Sequence, residues 1–178
     1  LMARRGITAV HNPASNLKLA SGAARVPQLL ERGVNVALGT DGVASNNSHD
    51  LFEEIKLAAL LHKGIGLDPA AVTARQALEM ATVSGARALR RNTGVIAPGR
   101  TADLILVDLD APNLFPCHDV EEDLVYSARG SNVVMNMARG RVIYEKGEFF
   151  TLDLEKIRAE VEGYALPRIF GSVRGGGA

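Results

Sequence analysis

One carboxylate in this sequence, Asp41, occupies a position that is typical of catalytic groups. It comes directly after residues 34–39, a nearly continuous apolar run typical of a strand buried on both faces. In parallel α/β folds, reactive side chains gather at the carboxyl ends of the strands, where Asp41 would bind a metal ion or accept a proton. Aspartate also caps turns and helices routinely, so the spacing by itself favours neither interpretation.

Four histidines and a single cysteine are the other potential metal ligands. His11 follows a short β-branched run and could act as a ligand or an acid–base group. The commoner alternative is a histidine that hydrogen-bonds the loop backbone and holds the pocket wall. Cys117 and His118 are a potential metal pair, but nothing near them in the sequence completes a zinc site. The chain therefore offers one credible ligand, fewer than a zinc centre needs.

Two strand–loop–helix units must position these side chains. The predicted elements are a strand at residues 7–10, a loop at 12–24, a helix at 26–32, a strand at 34–39, a loop at 44–48 and helices at 50–63 and 73–89. Thr73 is well suited to cap the last of these helices at its N-terminus. The alternation of strands and helices predicts parallel strands and an α/β fold.

The character of the sequence changes after Asn92. A strand at 102–108, a hairpin around Arg139–Gly140 and a second turn at residues 146–148 predict a small antiparallel module, in which Asp103 and Asp108 are expected at a turn and an edge. A polar amphipathic helix and a glycine-rich tail follow. The expected division of the chain is 1–92 for the βα units, 93–150 for the antiparallel module, 151–168 for a C-terminal helix and 169–178 for a flexible tail.

Composition argues against several classes of protein. Apolar residues make up 47% and charged residues 22% of the 178 residues, as in ordinary globular domains. Twenty basic and twenty acidic residues cancel, so there is no footprint for nucleic acid, and no apolar run approaches the ~20 residues that span a membrane. Because Cys117 is alone, an intrachain disulfide is excluded and a cytoplasmic location is expected.

Three blocks of sequence carry a resemblance to a known family. Residues 11–22 and 38–54 closely resemble the amidohydrolase superfamily, and within it the branch of 5-methylthioadenosine/S-adenosylhomocysteine deaminases and related chlorohydrolases. Residues 94–108 resemble the segment by which these proteins return to their β-sandwich domain. The resemblance implies the C-terminal part of a TIM-type (β/α)8 barrel, its last two βα units, together with part of a small β-sandwich.

The resemblance also implies a metal centre. Family members hold one divalent metal, commonly zinc, and Asp41 matches the eighth-strand aspartate that contacts the metal and takes a proton from the attacking water. The histidine ligands of the family are expected before the first residue of this sequence, so the isolated chain is expected to be inactive. Asn16 and Ser45 fall on loops that rim the pocket, where each contacts substrate or caps a turn. Glu53 and Glu54 are expected on a solvated helix face.

The function implied is that of a metal-dependent aminohydrolase that deaminates a 6-aminopurine nucleoside of the S-adenosylhomocysteine or methylthioadenosine type and releases ammonia. Two alternatives stay open: a triazine-type chlorohydrolase or aminohydrolase, and a catalytically inactive module with a structural role. The expected partner is a small heterocyclic amine, with neither nucleic acid nor membrane, and homo-oligomerisation stays open.

Overall fold

The computed structural model describes residues 1–171, which contain a parallel strand pair and an antiparallel sheet. Strand β1 (Ala9–His11) pairs in parallel with β2 (Val36–Leu38), so that His11 lies opposite Leu38. The second sheet has the strand order β3-β4-β5-β6, with β3 at Leu104–Val107, β4 at Val133–Ala138, β5 at Arg141–Glu145 and β6 at Glu148–Phe149. The predicted α/β class is confirmed.

Helices pack against β2 of the parallel pair, and further helices lie between β3 and β4 and after the antiparallel sheet. They are α1 (Pro13–Lys18), α2 (Val26–Glu31), α3 (Val43–Asn46), α4 (Leu51–Gly66), α5 (Ala74–Ala81), α6 (Val83–Ala88), α7 (Val120–Tyr126), α8 (Leu154–Glu160) and α9 (Leu166–Phe170), with a π-helical turn at Val161–Ala165. Short 3₁₀ turns lie at Ala3–Arg5 and Gly130–Asn132. No helix within residues 1–171 has both the length and the apolar character that crossing a membrane requires.

The core lies between β2 and the helices α4, α5 and α7. All three residues of β2 are buried, as its apolar run predicts. Small side chains on the facing helices, Ala58 and Ala59 on α4 and Ala77 on α5, are completely buried and let the helix axes approach closely. The core therefore rests on aliphatic and alanine side chains, consistent with a sequence that has no tryptophan.

The predicted cap at Thr73 is confirmed, but the helix that it starts is shorter than expected. The Gln76 backbone N–H donates to the Thr73 hydroxyl at 3.2 Å, and the Thr73 N–H donates to the Gln76 side chain at 2.9 Å. At Thr82 the backbone leaves the helical region, and the Thr82 hydroxyl donates to the Leu78 carbonyl at 2.7 Å. The single predicted helix 73–89 is therefore two helices, α5 and α6.

Two predicted loops contain helices. The loop at 12–24 begins with α1, and the loop at 44–48 overlaps α3. Pro13 occupies the first turn of α1, where its fixed φ suits a helix and its missing N–H costs nothing. Because α1 packs against both α3 and α4, contacts distant in sequence stabilise short helices that the small polar residues alone do not predict.

The antiparallel module has the predicted hairpins and one helix that was not predicted. The turns at Arg139–Gly140 and Lys146–Gly147 have positive φ at both residues, as tight hairpin turns require. Asp103 accepts the Arg139 N–H at 2.7 Å from the hairpin turn, 36 residues away, and Asp108 accepts the nearby Asp110 N–H at 3.0 Å. Helix α7 returns to the helical layer and buries Val125 completely against the core.

The C-terminal helical segment begins at Leu154 and ends at Phe170, compared with predicted bounds of 151–168. Asp153 is the N-cap of this segment, because its side chain accepts the Lys156 N–H at 2.9 Å. Helical structure continues to Phe170, so the start of the tail predicted for 169–178 is helical. The rest of that predicted tail, residues 172–178, lies outside the described residues.

Candidate functional site

The ends of the two parallel strands meet at one edge, where the candidate site lies. The Gly39 N–H donates to the His11 carbonyl at 3.0 Å, which keeps the strands together to their last residues. A Cβ atom at Gly39 would lie 2.5 Å from the Asn12 side-chain oxygen and 3.1 Å from a methyl carbon of Val10. A side chain at position 39 would therefore require the Asn12 and Val10 side chains to shift, which glycine avoids at this strand end.

Asp41 lies three residues beyond the end of β2, exposed and held in a defined orientation. Its backbone is left-handed, with φ of 60°, a conformation that aspartate tolerates better than most residues. The Ser15 hydroxyl donates to Asp41 Oδ2 at 2.7 Å, and the Gly42 N–H donates to Asp41 Oδ1 at 2.8 Å. These hydrogen bonds, that from Ser15 first, lower the pKa of Asp41, so the carboxylate is ionised at neutral pH.

The Asp41 carboxylate fits the requirements of one metal ligand. Each of its oxygens accepts one hydrogen bond and keeps lone-pair capacity, and the group is exposed and charged. Within residues 1–171, however, no group of three or more His, Cys, Asp or Glu side chains is arranged to hold a metal ion. Asp41 can therefore contribute to a metal centre but cannot form one with the described residues.

Within residues 1–171, the His11 ring makes no hydrogen bond to the loop backbone, which was the commoner of the two roles expected for it. It is buried on the face of β1 that meets α4, opposite the exposed Val10, and its ring lies 5.3 Å from the ring of His62. Among the described residues, neither ring nitrogen of His11 has a hydrogen-bond partner. Burial, and secondarily the proximity of His62, lowers the pKa of His11 to about 4, so the ring is neutral at physiological pH.

Glu54 departs most from the sequence prediction. Glu53 is exposed as expected, but Glu54 is completely buried. Its Oε2 accepts the Ala14 N–H at 3.2 Å, and its Oε1 accepts the Asn46 side-chain N–H at 2.6 Å. Burial raises the pKa of Glu54, against the effect of these two hydrogen bonds. Helical spacing could have indicated this, since Glu54, Ala58 and His62 recur every four residues on the buried face of α4.

The two candidate substrate contacts lie on the short helices beside Asp41. Asn16 is half-buried on α1, next to Ser15, and Ser45 is half-buried on α3, which packs against α1. The Ser45 hydroxyl donates to the Gly42 carbonyl at 2.9 Å, so it closes a turn directly after Asp41. Ser15 was not predicted as a site residue, because its bond to Asp41 joins residues 26 positions apart.

The remaining candidates for metal binding are dispersed. His49 and His118 are exposed, and Cys117 is half-buried in the segment that leads into α7. A hydrogen bond to Asp123 raises the pKa of the Cys117 thiol, so the thiolate that a metal requires is disfavoured. Within the part of the chain that is described, the pair Cys117–His118 is not completed to a metal site.

Comparison with known proteins places these features in context. Residues 1–143 match the sequence profile of the amidohydrolase family. The chain is 51% identical over 162 residues to a 5'-deoxyadenosine deaminase of Methanosarcina mazei, covering 91% of this chain and 38% of that protein. It is also 51% identical over 170 residues to a 5-methylthioadenosine/S-adenosylhomocysteine deaminase of Dictyoglomus thermophilum, covering 95% and 40% of the two chains.

Solved structures show the same similarity. An adenosine deaminase from Xanthomonas campestris with bound zinc superposes with a TM-score of 0.88 at 39% identity, over 92% of this chain and 38% of that one. Atrazine chlorohydrolase from Arthrobacter aurescens, complexed with zinc, superposes with a TM-score of 0.84 at 31% identity, over 90% and 36%. The chain thus spans about two fifths of the length of the relatives that it matches.

Proposed function

Since this chain belongs to the amidohydrolase family, we propose that it forms the C-terminal part of a metal-dependent aminohydrolase. The proposed reaction replaces the amine of a 6-aminopurine nucleoside by an oxygen from water and releases ammonia. The proposed substrates are nucleosides of the 5'-deoxyadenosine, methylthioadenosine or S-adenosylhomocysteine type, in agreement with the relatives of about 50% identity. The observation that carries the proposal is the ionised, hydrogen-bonded Asp41 at the end of a buried parallel strand.

The proposed architecture is the last two βα units of a (β/α)8 barrel, residues 1–92, and a β-sandwich portion, residues 93–150, followed by a C-terminal helix. The support is geometric. Strands β1 and β2 are parallel and carry helices against one face, while Val10 on the other face of β1 is 57% exposed. In a (β/α)8 barrel, one face of each strand packs against helices and the other faces the barrel interior. The interior face of a strand is exposed, as Val10 is, when the remaining strands of the barrel are not among the residues described.

In this proposal Asp41 is one ligand of a divalent metal, zinc, whose other ligands come from outside this chain. A bound zinc ion supplies Lewis-acid activation of water at neutral pH. Asp41 then accepts the proton from the attacking water, for which its exposed and ionised carboxylate is suited. Ser15 and the Gly42 N–H keep the carboxylate in one orientation. Asn16 and Ser45 are proposed to contact the substrate from α1 and α3.

The test is an assay of the complete protein encoded by the gene, loaded with zinc. We expect one zinc per chain and stoichiometric ammonia from 5'-deoxyadenosine, methylthioadenosine or S-adenosylhomocysteine. The isolated chain of 178 residues should bind zinc substoichiometrically and show negligible turnover, because it supplies one credible ligand. Absence of ammonia from every adenine nucleoside, with zinc bound, would refute the proposed reaction.

A triazine hydrolase is the second candidate, supported by the superposition on atrazine chlorohydrolase. The triazine hydrolase ranks below the nucleoside deaminase because sequence identity is 31% to the chlorohydrolase and 51% to a nucleoside deaminase. Parallel assays with chlorotriazines decide between the two reactions, since chloride release without ammonia would identify the chlorohydrolase. A protein that binds zinc fully and turns over neither substrate class would indicate a different amidohydrolase substrate, whereas a protein that binds no zinc would support the inactive module.

A further inference from the structure

The buried carboxylate of Glu54 is hydrogen-bonded to both segments around Asp41, α1 and residues 40–46. Glu54 lies on α4 and is 0% exposed. Its hydrogen-bond partners within residues 1–171 are Ala14 and Asn46 rather than Asp41 itself. A buried carboxylate is costly unless its oxygens accept hydrogen bonds from well-placed donors. Glu54 meets that condition through two donors, one on each of the segments that present Asp41.

The first connection reaches the side chain of Asp41. Glu54 Oε2 accepts the Ala14 N–H in the first turn of α1, a helix whose own N-cap residue, Asn12, makes no side-chain capping bond. Glu54 thus takes over a capping role from a distant element. The next residue of α1 is Ser15, buried to 2% exposure, whose hydroxyl donates to Asp41 Oδ2. The position of α1 therefore sets the position of this hydrogen bond.

The second connection reaches the backbone of Asp41. Glu54 Oε1 accepts a hydrogen from the Asn46 side-chain nitrogen at 2.6 Å, and the same nitrogen donates to the Thr40 carbonyl at 2.6 Å. That carbonyl belongs to the peptide that enters Asp41, whose left-handed φ of 60° is an uncommon conformation for a side-chain-bearing residue. The two connections converge on Asp41, one on its carboxylate and one on the peptide before it.

We propose that Glu54 is a positioning residue for Asp41, holding α1 and the segment 40–46 so that the carboxylate meets the metal in one orientation. The inference rests on the proposed role of Asp41 as a metal ligand. Both partners of Glu54 are N–H donors, so only an acceptor at each oxygen satisfies them. A glutamine at this position presents an NH₂ group to one of the two donors and leaves that contact broken.

The decisive variant is Glu54→Gln in the complete protein, with Glu53→Gln as the matched control. Glu53 is the adjacent residue of the same helix, has the same side chain and is exposed. We expect Glu54→Gln to weaken zinc affinity about 10–100-fold, measured by competition with a chelator, as loss of an outer-shell partner does. The kcat should fall by a similar factor, while KM changes by less than about threefold. Glu53→Gln should stay within about twofold in all three quantities.

A second variant keeps the inference testable if Glu54→Gln does not fold. Asn46→Ala removes the second connection, between Glu54 Oε1 and the Thr40 carbonyl, together with the hydrogen bond that Asn46 accepts from the Ser48 N–H. It leaves the connection through Ala14 in place and should weaken zinc affinity about three- to tenfold. The double variant Asn46→Ala/Glu54→Gln should bind zinc only slightly more weakly than Glu54→Gln alone, because both substitutions interrupt the same hydrogen-bond connection. Circular dichroism at a temperature well below the lowest midpoint verifies that each protein compared is folded.

The outcomes separate positioning from simple stabilisation. A folded Glu54→Gln protein with zinc affinity and kcat within about twofold of the unaltered protein would overturn the inference, even if its melting temperature falls. Zinc binding without deamination in the unaltered protein would refute the proposed reaction only, since the ratio of zinc affinities still decides the role of Glu54. An unaltered protein that binds no zinc would overturn both.

Discussion

Two regions of the described chain bury polar side chains for different purposes. The site region, residues 1–92, buries His11, Ser15, Glu54 and His62, whereas the sheet region, residues 93–150, buries Asn132. Asn132 exchanges side-chain hydrogen bonds with Asn113, each at 3.0 Å, and accepts the Arg129 N–H at 2.9 Å. In the site region, by contrast, His11 has no partner on either ring nitrogen among the described residues.

The difference concerns the stability cost of buried polar groups. A buried polar group costs about 1–3 kcal/mol when its hydrogen bonds are not made. The reciprocal amide pair of the sheet region makes its hydrogen bonds and therefore stabilises the fold. In the site region, Ser15 binds Asp41 directly and Glu54 acts on the segments beside it. In the role proposed for Glu54, burial of these two side chains serves the orientation of one carboxylate. Among the described residues, the unpaired ring nitrogens of His11 are the accompanying cost in stability.

The largest expected effect concerns one exposed aspartate from each region, Asp41 and Asp108, each of which accepts a backbone N–H in a turn. Asp41→Asn in the complete protein should lower kcat/KM at least ~1,000-fold and release most of the zinc, because a neutral amide is a poor ligand and no base. In Asp108→Asn, which affects a similar turn in the sheet region, kcat/KM and zinc content should stay within about twofold of the unaltered protein. Steady-state kinetics and zinc analysis provide the measurement, and equal losses in the two variants would abolish the distinction between the regions.

The second effect is a dependence of stability on pH that originates in the site region. The pKa of His11 is lowered to about 4, so between pH ~6.5 and 4 the unfolded chain binds a proton that the folded protein does not. The contribution of His11 to stability should fall on the order of 2–3 kcal/mol as the pH drops through this window, and no further below it.

Urea unfolding at several pH values measures this dependence, with His11→Gln as the test and His49→Gln, at an exposed position, as the control. The raised pKa of Glu54 contributes the opposite slope in all three proteins, so the difference between them isolates His11. A His11→Gln protein with the same pH slope as the unaltered protein would show that His11 does not cause it.

The third effect concerns the sheet region and should leave function unchanged. Asn132→Ala removes the reciprocal pair with Asn113 and should lower the free energy of unfolding by about 2 kcal/mol. Zinc affinity and kcat should remain within about twofold when measured well below the melting temperature. Ser131→Ala, at an exposed neighbouring position, should change stability by less than about 0.5 kcal/mol. A loss of zinc affinity in Asn132→Ala would mean that the sheet region also positions the metal site.

The smallest effect sharpens the role of Ser15 within the site region. Ser15→Ala removes the hydrogen bond that contributes most to the low pKa of Asp41, so that pKa should rise toward its ordinary value in the metal-free protein. A carbon-13 NMR titration of the Asp41 carboxyl measures this rise. We also expect kcat/KM to fall about tenfold, as for loss of one hydrogen bond to a charged group. Ser21→Ala, an exposed serine beyond the same helix, should leave both the pKa and kcat/KM unchanged.

The sequence by itself determined the features that depend on neighbouring residues. The strands β1 and β2, helices α2 and α4, the cap at Thr73 and the hairpins at Arg139–Gly140 and Lys146–Gly147 all follow from hydrophobic period and turn chemistry. The place of Asp41 just beyond a buried strand follows in the same way. Its role as a metal ligand remains a proposal that the resemblance of the flanking residues first suggested.

Tertiary structure alone decided how the carboxylate is held. Ser15 and Asp41 are 26 residues apart, and Glu54 and Ala14 are 40 apart, so no local pattern specifies that these groups meet. Small polar residues in α1 predict a loop, and a glutamate at the start of α4 predicts a solvated face. Only the packing of α1 against α3 and α4 makes the first a helix and buries the second. The donors that satisfy the buried carboxylate, Ala14 and Asn46, come from other segments of the chain.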